Sequence, residues 1–266
     1  MNKKIGIIGA GNMGGAIISG IAKKGIYDEV FIFDKNPATA SLYAALFSNN
    51  TYSAGLFTVA SADIVILAVK PNILYSVIEE IKNCIKEDTV VVSIAAGQSI
   101  EKIEKAFGKK VKLMRVMPNT PAQVGEGMSA LSPNALLSAD KDATDAVVKI
   151  FESFGKAEIV PENLMDAVTG VSGSSPAYVF MFIEALADAA VAAGMPRDKS
   201  YTFAAQSVLG AAKMVLETKT HPAELKDMVC SPGGTTIEAV KVLEEKGLRA
   251  AVMDAVKACV DKSRSM

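Results

Sequence analysis

A glycine-rich turn near the N-terminus is the first feature of this sequence whose residue types and spacing can do chemistry. It reads GAGNMG, follows the apolar run KIGII and precedes a run with helical periodicity. Its glycines let the turn close tightly and let its backbone approach a pyrophosphate, while the helix start supplies free N–H groups. The turn therefore predicts a dinucleotide-binding site. The predicted contacts are Gly9, Gly11, Asn12, Met13 and Gly14.

The end of the second apolar run bears on which dinucleotide is recognised. Asp34 follows VFIF, 20 residues after Gly14, where a carboxylate can accept hydrogen bonds from an adenosine ribose. A carboxylate alone favours NAD, because it repels a 2′-phosphate. Lys35 and Asn36 come directly after it and offer that phosphate a cation and an amide. The residues alone leave both NAD and NADP open.

Three further segments follow predicted strands and fall at the far end of the same site. Ligands of open α/β sheets lie outside the carboxyl ends of the strands, where AVKP, SIAAG and MPNTP are expected. The two prolines of MPNTP favour a rigid, specifically shaped loop. The alternative is that all three are ordinary strand-to-helix turns. The predicted contacts are Ala68, Val69, Lys70, Pro71, Ala95, Asn119 and Thr120.

A second turn with the composition of an anion site lies late in the chain. The sequence SPGGTT precedes a run with helical periodicity, so its backbone N–H groups point from a helix start. A small carboxylate fits such a turn, with Ser231 and threonine hydroxyls beside it. The alternative is a simple helix cap followed by a loop. The predicted substrate contacts are Ser231, Gly234, Thr235 and Thr236.

Residues that protonate an alkoxide are not conspicuous, which bears on the substrate. Many carbonyl reductases use a positioned histidine, lysine or tyrosine as a general acid. The single histidine, His221, precedes Pro222 at a predicted helix start and is interpreted as a cap or an exposed residue. Cys230 adjoins the second turn but has no histidine to activate it, so it is interpreted as a small buried side chain. An already protonated substrate, an iminium, needs less acid catalysis.

The elements that must position these residues predict an α/β fold in two domains. Up to about residue 160, Val- and Ile-rich runs alternate with helical patterns, as in a parallel sheet with crossover helices. From Glu162 onwards only helical periodicity is seen. We therefore predict a Rossmann-type dinucleotide-binding domain over residues 1–161 and an all-helical substrate-binding and dimerisation domain over residues 162–266.

Composition narrows the partners and the compartment. The chain has 28 basic and 29 acidic residues, which argues against nucleic acid and anionic membranes as partners. Three dispersed cysteines, a single histidine and no signal-like N-terminal region predict a cytoplasmic protein with reduced thiols and no metal site. Hydrophobic residues make up 50% and mean hydropathy is +0.28, which points to apolar surface buried between subunits.

The longest apolar helical pattern, Pro176 to Met195, contains Glu184 and Asp188 and is predicted to be a buried helix and not a membrane span. It has too many apolar faces for one small domain to cover, so an obligate dimer is expected. The candidate buried contacts, some across the subunit interface, are Phe180, Phe182, Ile183 and Leu186.

Over essentially its whole length the chain resembles the pyrroline-5-carboxylate reductase family. The most specific part is PAELKDMVCSPGGTTIEAVKVLEE, which is similar to the family signature. IGIIGAGNMG, RVMPNTPA and GVSGSSPAYVF resemble the family at matching places and in the same order. The resemblance implies hydride transfer from NAD(P)H to the C=N carbon of 1-pyrroline-5-carboxylate, giving L-proline in the last step of proline biosynthesis.

The resemblance also implies residue roles and an assembly. Thr236 would hydrogen-bond the ring nitrogen of the substrate, and Ser231, Gly234 and Thr235 would surround its carboxylate. Lys70–Pro71 and Asn119–Thr120 would flank the nicotinamide half of the cofactor. The expected cofactor is NADPH, with NADH as the alternative, since the residues around Asp34 vary within the family. Family members form helix-interlocked homodimers, often assembled into decamers, which are rings of five dimers.

Two other functions compete with this interpretation. A β-hydroxyacid dehydrogenase has a similar dinucleotide-binding half but usually places a catalytic lysine on an early helix of its second domain. The corresponding stretch here, Met165 to Ala190, contains no lysine. A dinucleotide-binding protein without turnover is the other alternative, and the intact turn from Ser231 to Thr236 argues against it.

Overall fold

The structure is a computed structural model that describes residues 4–47 and 50–265. The chain folds into two compact units, one formed by Met1–Ser174 with Cys259–Met266 and the other by Ser175–Ala258. This division into units reflects which residues pack together. The domain boundary predicted after residue 161 follows the change of sequence character, and it stays a prediction.

A single eight-stranded sheet organises the first unit, in the order β3-β2-β1-β4-β5-β6-β7-β8. Neighbouring strands run parallel except β6 and β7, which are antiparallel. The strands are β1 Lys4–Ile8, β2 Glu29–Phe33, β3 Thr51–Ser53, β4 Ile64–Leu67, β5 Val90–Ser93, β6 Lys112–Met117, β7 Gly127–Pro133 and β8 Gly155–Ile159.

Helices connect these strands and cover the sheet. Most of them begin with a side-chain N-cap or with a proline in the first turn. Asn36, for example, caps α2 by accepting a hydrogen bond from Ala38 N–H. The helices are α1 Asn12–Lys24, α2 Pro37–Leu46, α3 Leu56–Ala60, α4 Pro71–Ile81, α5 Ile100–Phe107, α6 Ala135–Ser138, α7 Lys141–Glu152 and α8 Met165–Val168. Two 3₁₀ turns, Thr120–Val124 and Glu162–Leu164, and a π-helical turn, Thr169–Gly173, complete this unit.

The sheet is buried on both faces, and strand β4 shows why. Ile64 and Ile66 belong to the hydrophobic cluster on one face, while Val65 and Leu67 belong to the cluster on the other. Successive side chains of a strand point to opposite faces, so an unbroken apolar run needs cover on both. Burying each such side chain contributes about 1.5–3 kcal/mol, and these two clusters stabilise the first unit. The predicted α/β fold with a Rossmann-type sheet is confirmed.

Helices alone make up the second unit, with α9 packed against α10. Within residues 162–265, which the structure describes throughout, there is no strand, in agreement with the sequence pattern. The helices are α9 Ser175–Ala192, α10 Arg197–Thr218, α11 Pro222–Val229, α12 Thr235–Glu245 and α13 Leu248–Arg264. The last residues of α13 belong to the first unit.

Helix α9 corrects one prediction. The buried helix expected over Pro176–Met195 is not buried within its own chain: of α9, only Ala187 is buried. Phe180 is 60%, Phe182 42% and Leu186 39% exposed, and Ile183 is half-buried. The prediction of burial is therefore wrong for a single chain, because the helix is apolar on several sides and one chain covers few of them.

The region around α9 is also apolar enough to be compared with a membrane-spanning helix. The helical stretch Glu162–Ala192 contains an 18-residue window with a mean hydropathy of 1.4, and it is long and apolar enough to cross a membrane by length and composition alone. Of its most apolar window, 11% is buried within the chain. The exposed apolar face of α9 therefore needs a cover from outside the single chain.

Smaller differences from the sequence pattern concern short elements. Strand β3 and helix α3, three and five residues long, are too short to produce a readable periodicity. The helical pattern from about Ser138 to Phe154 forms α7, which begins at Lys141 because Asp140 accepts a hydrogen bond from Ala143 N–H, and the short α6 precedes it.

Candidate active site

The glycine-rich turn joins β1 to α1, and two of its glycines are required by close packing. Gly9 has a φ of +100°, and a side chain there would lie 2.5 Å from the carbonyl oxygen of Ala68. A side chain on Gly14 would collide with the carbonyl oxygen of Gly9. The Gly9 N–H donates to Phe33 O at 2.8 Å, which fixes the turn to the end of β2. These contacts hold the turn against the sheet.

Gly11 plays a different part in the same turn. It is the N-cap of α1, no side chain caps the helix there, and a Cβ at this position would meet nothing within 4 Å. The space in front of the helix start is therefore open, and the first N–H groups of α1 are not used by a capping side chain. An uncapped helix start of this kind attracts anions through its N–H groups and its dipole. The exposed Asn12 and half-buried Met13 lie beside it.

Asp34 holds the end of β2 to this turn. Its Oδ2 accepts a hydrogen bond from the Ala10 N–H at 2.7 Å, and its Oδ1 accepts one from the Asn36 N–H at 2.8 Å. Asn36 uses its own Oδ1 to cap α2. Lys35 lies between them and is exposed. The three residues predicted to read the adenosine ribose are thus together at the edge of the turn, and both Asp34 oxygens already bind backbone.

The loops after β4 and β5 lie at the same carboxyl edge of the sheet. Lys70 is exposed at the start of α4, behind the half-buried Ala68 and Val69, and Pro71 is the first residue of the helix. Ala95 is buried after β5. The loop after β5 is bonded to α4 by the Tyr75 hydroxyl, which donates to Gln98 Oε1 at 2.5 Å. Burial raises the pKa of Tyr75, so this hydroxyl keeps its proton at neutral pH.

Asn119 follows β6, and its carboxamide is bonded to protein on both sides. Its Oδ1 accepts a hydrogen bond from the Met128 N–H at 2.8 Å. Its Nδ2 donates to both the carbonyl oxygen and the hydroxyl of Ser172, each at 3.3 Å. Thr120 is exposed and begins the 3₁₀ turn, which packs against α1. Asn119 therefore links the loop predicted to flank the nicotinamide to the π-helical turn.

The second unit presents the other predicted turn, at the start of α12. Gly234 is the N-cap of this helix, and no side chain caps it. The Gly234 N–H donates to Ser231 O at 3.0 Å, and a side chain on Gly234 would lie 2.5 Å from Ser231 Oγ. Gly233 has a φ of +67°, which a residue with a side chain rarely adopts. Ser231 and Thr235 are exposed beside this turn, and Thr236 is half-buried.

The two residues considered as rival catalysts have structural roles. His221 caps α11, with its Nδ1 accepting a hydrogen bond from the Ala223 N–H at 3.2 Å, which confirms its interpretation as a cap. Cys230 ends that helix and is half-buried, not buried as predicted, because it lies at a helix end with exposed neighbours. Over the part of the chain that the structure describes, no three potential metal ligands cluster.

The chain is similar in sequence to known proteins along its whole length. Residues 162–266 match the family model "Pyrroline-5-carboxylate reductase dimerisation", and residues 4–97 match "NADP oxidoreductase coenzyme F420-dependent". The pyrroline-5-carboxylate reductase of Escherichia coli K12 is 51% identical over 268 residues, which cover 100% of this chain and 99% of the relative. This chain belongs to the pyrroline-5-carboxylate reductase family.

Solved structures of pyrroline-5-carboxylate reductases agree. The enzyme from Coxiella burnetii superposes with a TM-score of 0.92 at 34% identity, covering 100% of this chain and 98% of the other. The Plasmodium falciparum protein, solved with NADP bound, gives 0.86 at 34% identity, covering 99% and 98%. The predicted family is confirmed and the β-hydroxyacid dehydrogenase alternative is not favoured. Residues 162–266, which include α9, match the dimerisation region of the family.

The sequence did not predict a role for one residue of the site, Ser172. Ser172, the partner of Asn119, lies in GVSGSSP, which carried the resemblance but received no role. The available signal was the break that glycine and serine make in an otherwise apolar helical run. The contact itself spans 53 positions in the sequence, so no local pattern predicts it.

Proposed function

We propose that this chain reduces 1-pyrroline-5-carboxylate to L-proline with NADPH, with NADH as the alternative cofactor, as the last step of proline biosynthesis. The observation that carries the proposal is the start of α12, where the N-cap is Gly234 and no side chain caps the helix. The chain also matches reductases of this family along its whole length. In this proposal residues 1–161 bind the dinucleotide, and residues 162–266 bind the substrate and dimerise.

The open space at Gly11 is where the cofactor's pyrophosphate fits. Its phosphate oxygens would accept hydrogen bonds from the first N–H groups of α1, which no capping side chain occupies. Bound NADPH would supply the hydride. The proposed cofactor contacts are Gly9, Gly11, Asn12, Met13, Gly14, Asp34, Lys35, Asn36, Ala68, Val69, Lys70, Pro71, Ala95, Asn119 and Thr120.

The substrate's carboxylate fits the start of α12. Its oxygens would accept hydrogen bonds from the helix's first N–H groups, beside the exposed hydroxyls of Ser231 and Thr235 and the backbone of Gly234. The Thr236 hydroxyl would then bond the ring nitrogen and orient the imine carbon. Hydride from NADPH would add to that carbon and the C=N π electrons would move to the nitrogen, which already carries its proton if the imine binds protonated.

Such a reaction asks little of a general acid. A protonated imine is already electron-poor at carbon, and hydride addition neutralises the charge on nitrogen. Among the residues described near the α12 turn, His221 is used as a helix cap, so Thr236 is the proposed polar contact of the reacting nitrogen. Its role is to orient that nitrogen and to hydrogen-bond it as its electron density rises.

The proposal extends to assembly and compartment. Phe180, Phe182, Ile183 and Leu186 on α9 pack against a second copy in a homodimer, and five dimers form a decamer as the family resemblance implies. The three dispersed cysteines favour the cytoplasm. The balanced charge, 28 basic to 29 acidic residues, argues against nucleic acid or a membrane as partner.

One assay tests the activity directly. Purified protein is incubated with NADPH and 1-pyrroline-5-carboxylate, and both cofactor oxidation and proline formation are measured. We expect one proline for each NADPH consumed. The matched control is 1-pyrroline, which has the imine but lacks the carboxylate, and its kcat/KM should be far lower. No proline from the first substrate would refute the proposed function, and equal rates with both would refute the carboxylate site at α12.

A further inference from the structure

Helix α1, whose start is proposed to hold the pyrophosphate, contains a glycine that packing requires. Gly15 is buried in the first half of α1, and its N–H donates to Gly11 O at 2.7 Å, which closes the first turn of the helix. Glycine inside a helix is less favourable than alanine. A side chain on Gly15 would collide with the hydroxyl of Tyr43, and this close contact explains the glycine.

Tyr43 belongs to α2 and is one of the few side chains that hold that helix in place. Of the ten residues of α2, Ala40 alone is buried, and Tyr43 follows it by three positions, so the two lie on the same face of the helix. Tyr43 is half-buried and packs against the hydrophobic cluster that includes Ile17 and Ile18 of α1. A methyl group and one aromatic ring thus attach α2 to this cluster.

The space beside the Tyr43 ring is a cavity and not a second layer of side chains. The cavity has a volume of about 240 Å³ and is lined by Asn12, Gly15, Ala16, Ser19, Tyr43 and Gln123. Removing the ring would enlarge this cavity, and α2 would lose its contact with the first turn of α1. The spacing between the two helices therefore depends on Tyr43.

Helix α2 begins at the segment proposed to bind the 2′-phosphate of NADPH. Asn36 caps the helix, and Lys35 directly precedes that cap. The pyrophosphate is proposed to bind at the start of α1, behind Gly11. Both phosphate sites belong to the first unit, so the position of α2 relative to α1 sets the distance between them.

We propose that Tyr43 is a positioning residue that favours NADPH over NADH by holding α2 against Gly15 of α1. This inference rests on the proposed function. NADPH must reach both phosphate sites at once, whereas NADH lacks the 2′-phosphate and needs the pyrophosphate site alone. Two linked contacts strengthen binding only where the geometry lets both form together. A displaced α2 should therefore weaken the binding of NADPH more than that of NADH.

The test is Tyr43→Ala, with the affinities for NADPH and NADH measured by fluorescence titration. We expect NADPH affinity to fall roughly threefold to thirtyfold, because the contacts at risk are one exposed ion pair and one charge-assisted hydrogen bond. NADH affinity should change by less than about twofold. Tyr43→Phe keeps the ring and should retain the preference for NADPH to within about twofold. A loss in Tyr43→Phe equal to that in Tyr43→Ala would overturn the proposal.

Tyr27→Ala is the matched control. Tyr27 is also half-buried against the same cluster, but it follows the other end of α1, where its hydroxyl donates to Ala146 O at 2.8 Å. Its loss should lower the melting temperature and leave the ratio of the two affinities unchanged. Both variants remove one ring from one cluster, so they separate the position of Tyr43 from a general loss of packing. An equal fall of the ratio in Tyr27→Ala would contradict the role of Tyr43.

A double-mutant cycle tests whether Tyr43 acts through the residues at the start of α2. In the background Lys35→Ala, Asn36→Ser, where serine can still cap α2, Tyr43→Ala should not change the ratio of the affinities further. The side chains that Tyr43 positions are absent from that background. The same fold-change in both backgrounds would show that Tyr43 does not act through them, and the proposal would be wrong.

A second variant decides if Tyr43→Ala fails to fold by circular dichroism. Gly15→Ala introduces a methyl group that collides with the Tyr43 hydroxyl, which moves α2 or turns the ring away. Alanine is the better helix former, so this variant is expected to fold. It should lower the preference for NADPH at least about threefold.

The outcomes are distinct. An unchanged preference in Tyr43→Ala, equal losses for both cofactors, or a wild-type preference in the variant that decides would overturn the role of Tyr43. A wild-type protein that does not prefer NADPH would overturn it as well. All these measurements use binding alone. A wild-type protein that prefers NADPH but forms no proline would refute the proposed reaction and leave the role of Tyr43 standing.

Discussion

Two helices of this protein begin in the same way and are supported very differently. Helix α1 starts behind Gly11 and α12 starts behind Gly234, and neither has a side-chain cap. Beyond its first turn, α1 buries Ile17, Ile18 and Ile21 completely, whereas α12 buries no residue within the chain. The same kind of uncapped helix start therefore precedes a well-buried helix in the first unit and a helix with no buried residue in the second.

The difference shows that the conformation of the turn and the packing that holds it in place are separate properties. A glycine, a helix start and open space are enough to offer N–H groups to an anion. Holding those groups still requires packing, and in the second unit only a few residues are buried, Ala187, Ser200 and Ala204. The first unit has this support in its own sheet, and we expect the second unit to obtain it from another copy of the chain.

The largest loss of activity is therefore expected from a substitution that disrupts the contact between α9 and the second copy of the chain. Phe180→Glu places a charge on α9 at a side chain that is 60% exposed in the single chain. In a dimer that buries this position, an unpaired charge costs several kcal/mol, so the dimer should dissociate and activity should be lost. Light scattering at micromolar concentration should show the mass fall to that of one chain.

The matched control is Phe57→Glu, on the first unit, where the phenylalanine is 63% exposed. This side chain lies outside the dimerisation region, so mass and activity should remain those of the wild type. A dimeric, fully active Phe180→Glu would contradict the interface assigned to α9. A wild type that is monomeric under the same conditions would contradict the dimer itself.

The next largest effect should come from closing the open space at Gly11. Gly11→Asp puts a side chain and a negative charge where the pyrophosphate would lie, so NADPH affinity should fall by at least about a hundredfold, or about 2.7 kcal/mol. Folding should not suffer, because aspartate is a favourable N-cap near the positive end of the helix dipole. Isothermal titration and a thermal melt measure the two quantities separately.

Gly55→Asp is the matched control for this substitution. Gly55 is likewise an N-cap with a φ of −67°, without a side-chain hydrogen bond and without neighbours within 4 Å, at the start of α3. The same chemical change there should leave NADPH affinity unaltered. Equal affinity in Gly11→Asp and wild type would show that the space at Gly11 does not hold the pyrophosphate.

A smaller effect is expected at the start of α12. Thr236→Ala removes the hydroxyl proposed to bond the ring nitrogen, and a group of this kind typically contributes about 10²–10⁴-fold. The lower end applies because a protonated imine is already activated, so kcat/KM should fall on the order of tenfold to a hundredfold. NADPH affinity should not change, since the hydroxyl lies in the other unit.

Thr236→Ser keeps the hydroxyl and should retain much of the activity. Cys230→Ala, at a half-buried position just before the same turn, should be nearly silent. Together these variants distinguish imine reduction from thiol-dependent chemistry. Wild-type turnover in Thr236→Ala, or loss of turnover in a folded Cys230→Ala, would contradict the role given to Thr236.

The sequence predicted the first unit better than the second for a physical reason. The runs of β4 and β5 are buried on both faces, so their composition alone reports their position. Helix α9 is as apolar as a core helix, but the sequence does not say which chain covers it. The hydrogen bonds from Asn119 to Ser172 join residues 53 positions apart, and such polar pairs leave no periodicity to detect.

The smallest expected effect concerns the choice between NADPH and NADH. Both oxygens of Asp34 bind backbone N–H groups, so this carboxylate is less available to the ribose than its position in the sequence indicates. The exposed Lys35 is the nearest cation to that edge in sequence, and Asn36 adds an amide nitrogen, since its oxygen caps α2. We therefore expect these two residues to favour a 2′-phosphate.

The double variant Lys35→Ala, Asn36→Ser tests this without uncapping α2, because serine is also a good N-cap. An exposed ion pair is worth about 0.2–1 kcal/mol and a charge-assisted hydrogen bond up to about 3 kcal/mol, so NADPH affinity should fall roughly threefold to thirtyfold. NADH affinity should change by less than about twofold, because NADH lacks the phosphate. In wild type the preference for NADPH should weaken as potassium chloride rises from 50 to 500 mM, because the Debye length falls from about 14 to about 4 Å over this range.

Two results together would show that Lys35 and Asn36 do not bind the phosphate: equal losses of affinity for both cofactors in the double variant, and a preference for NADPH that does not depend on salt.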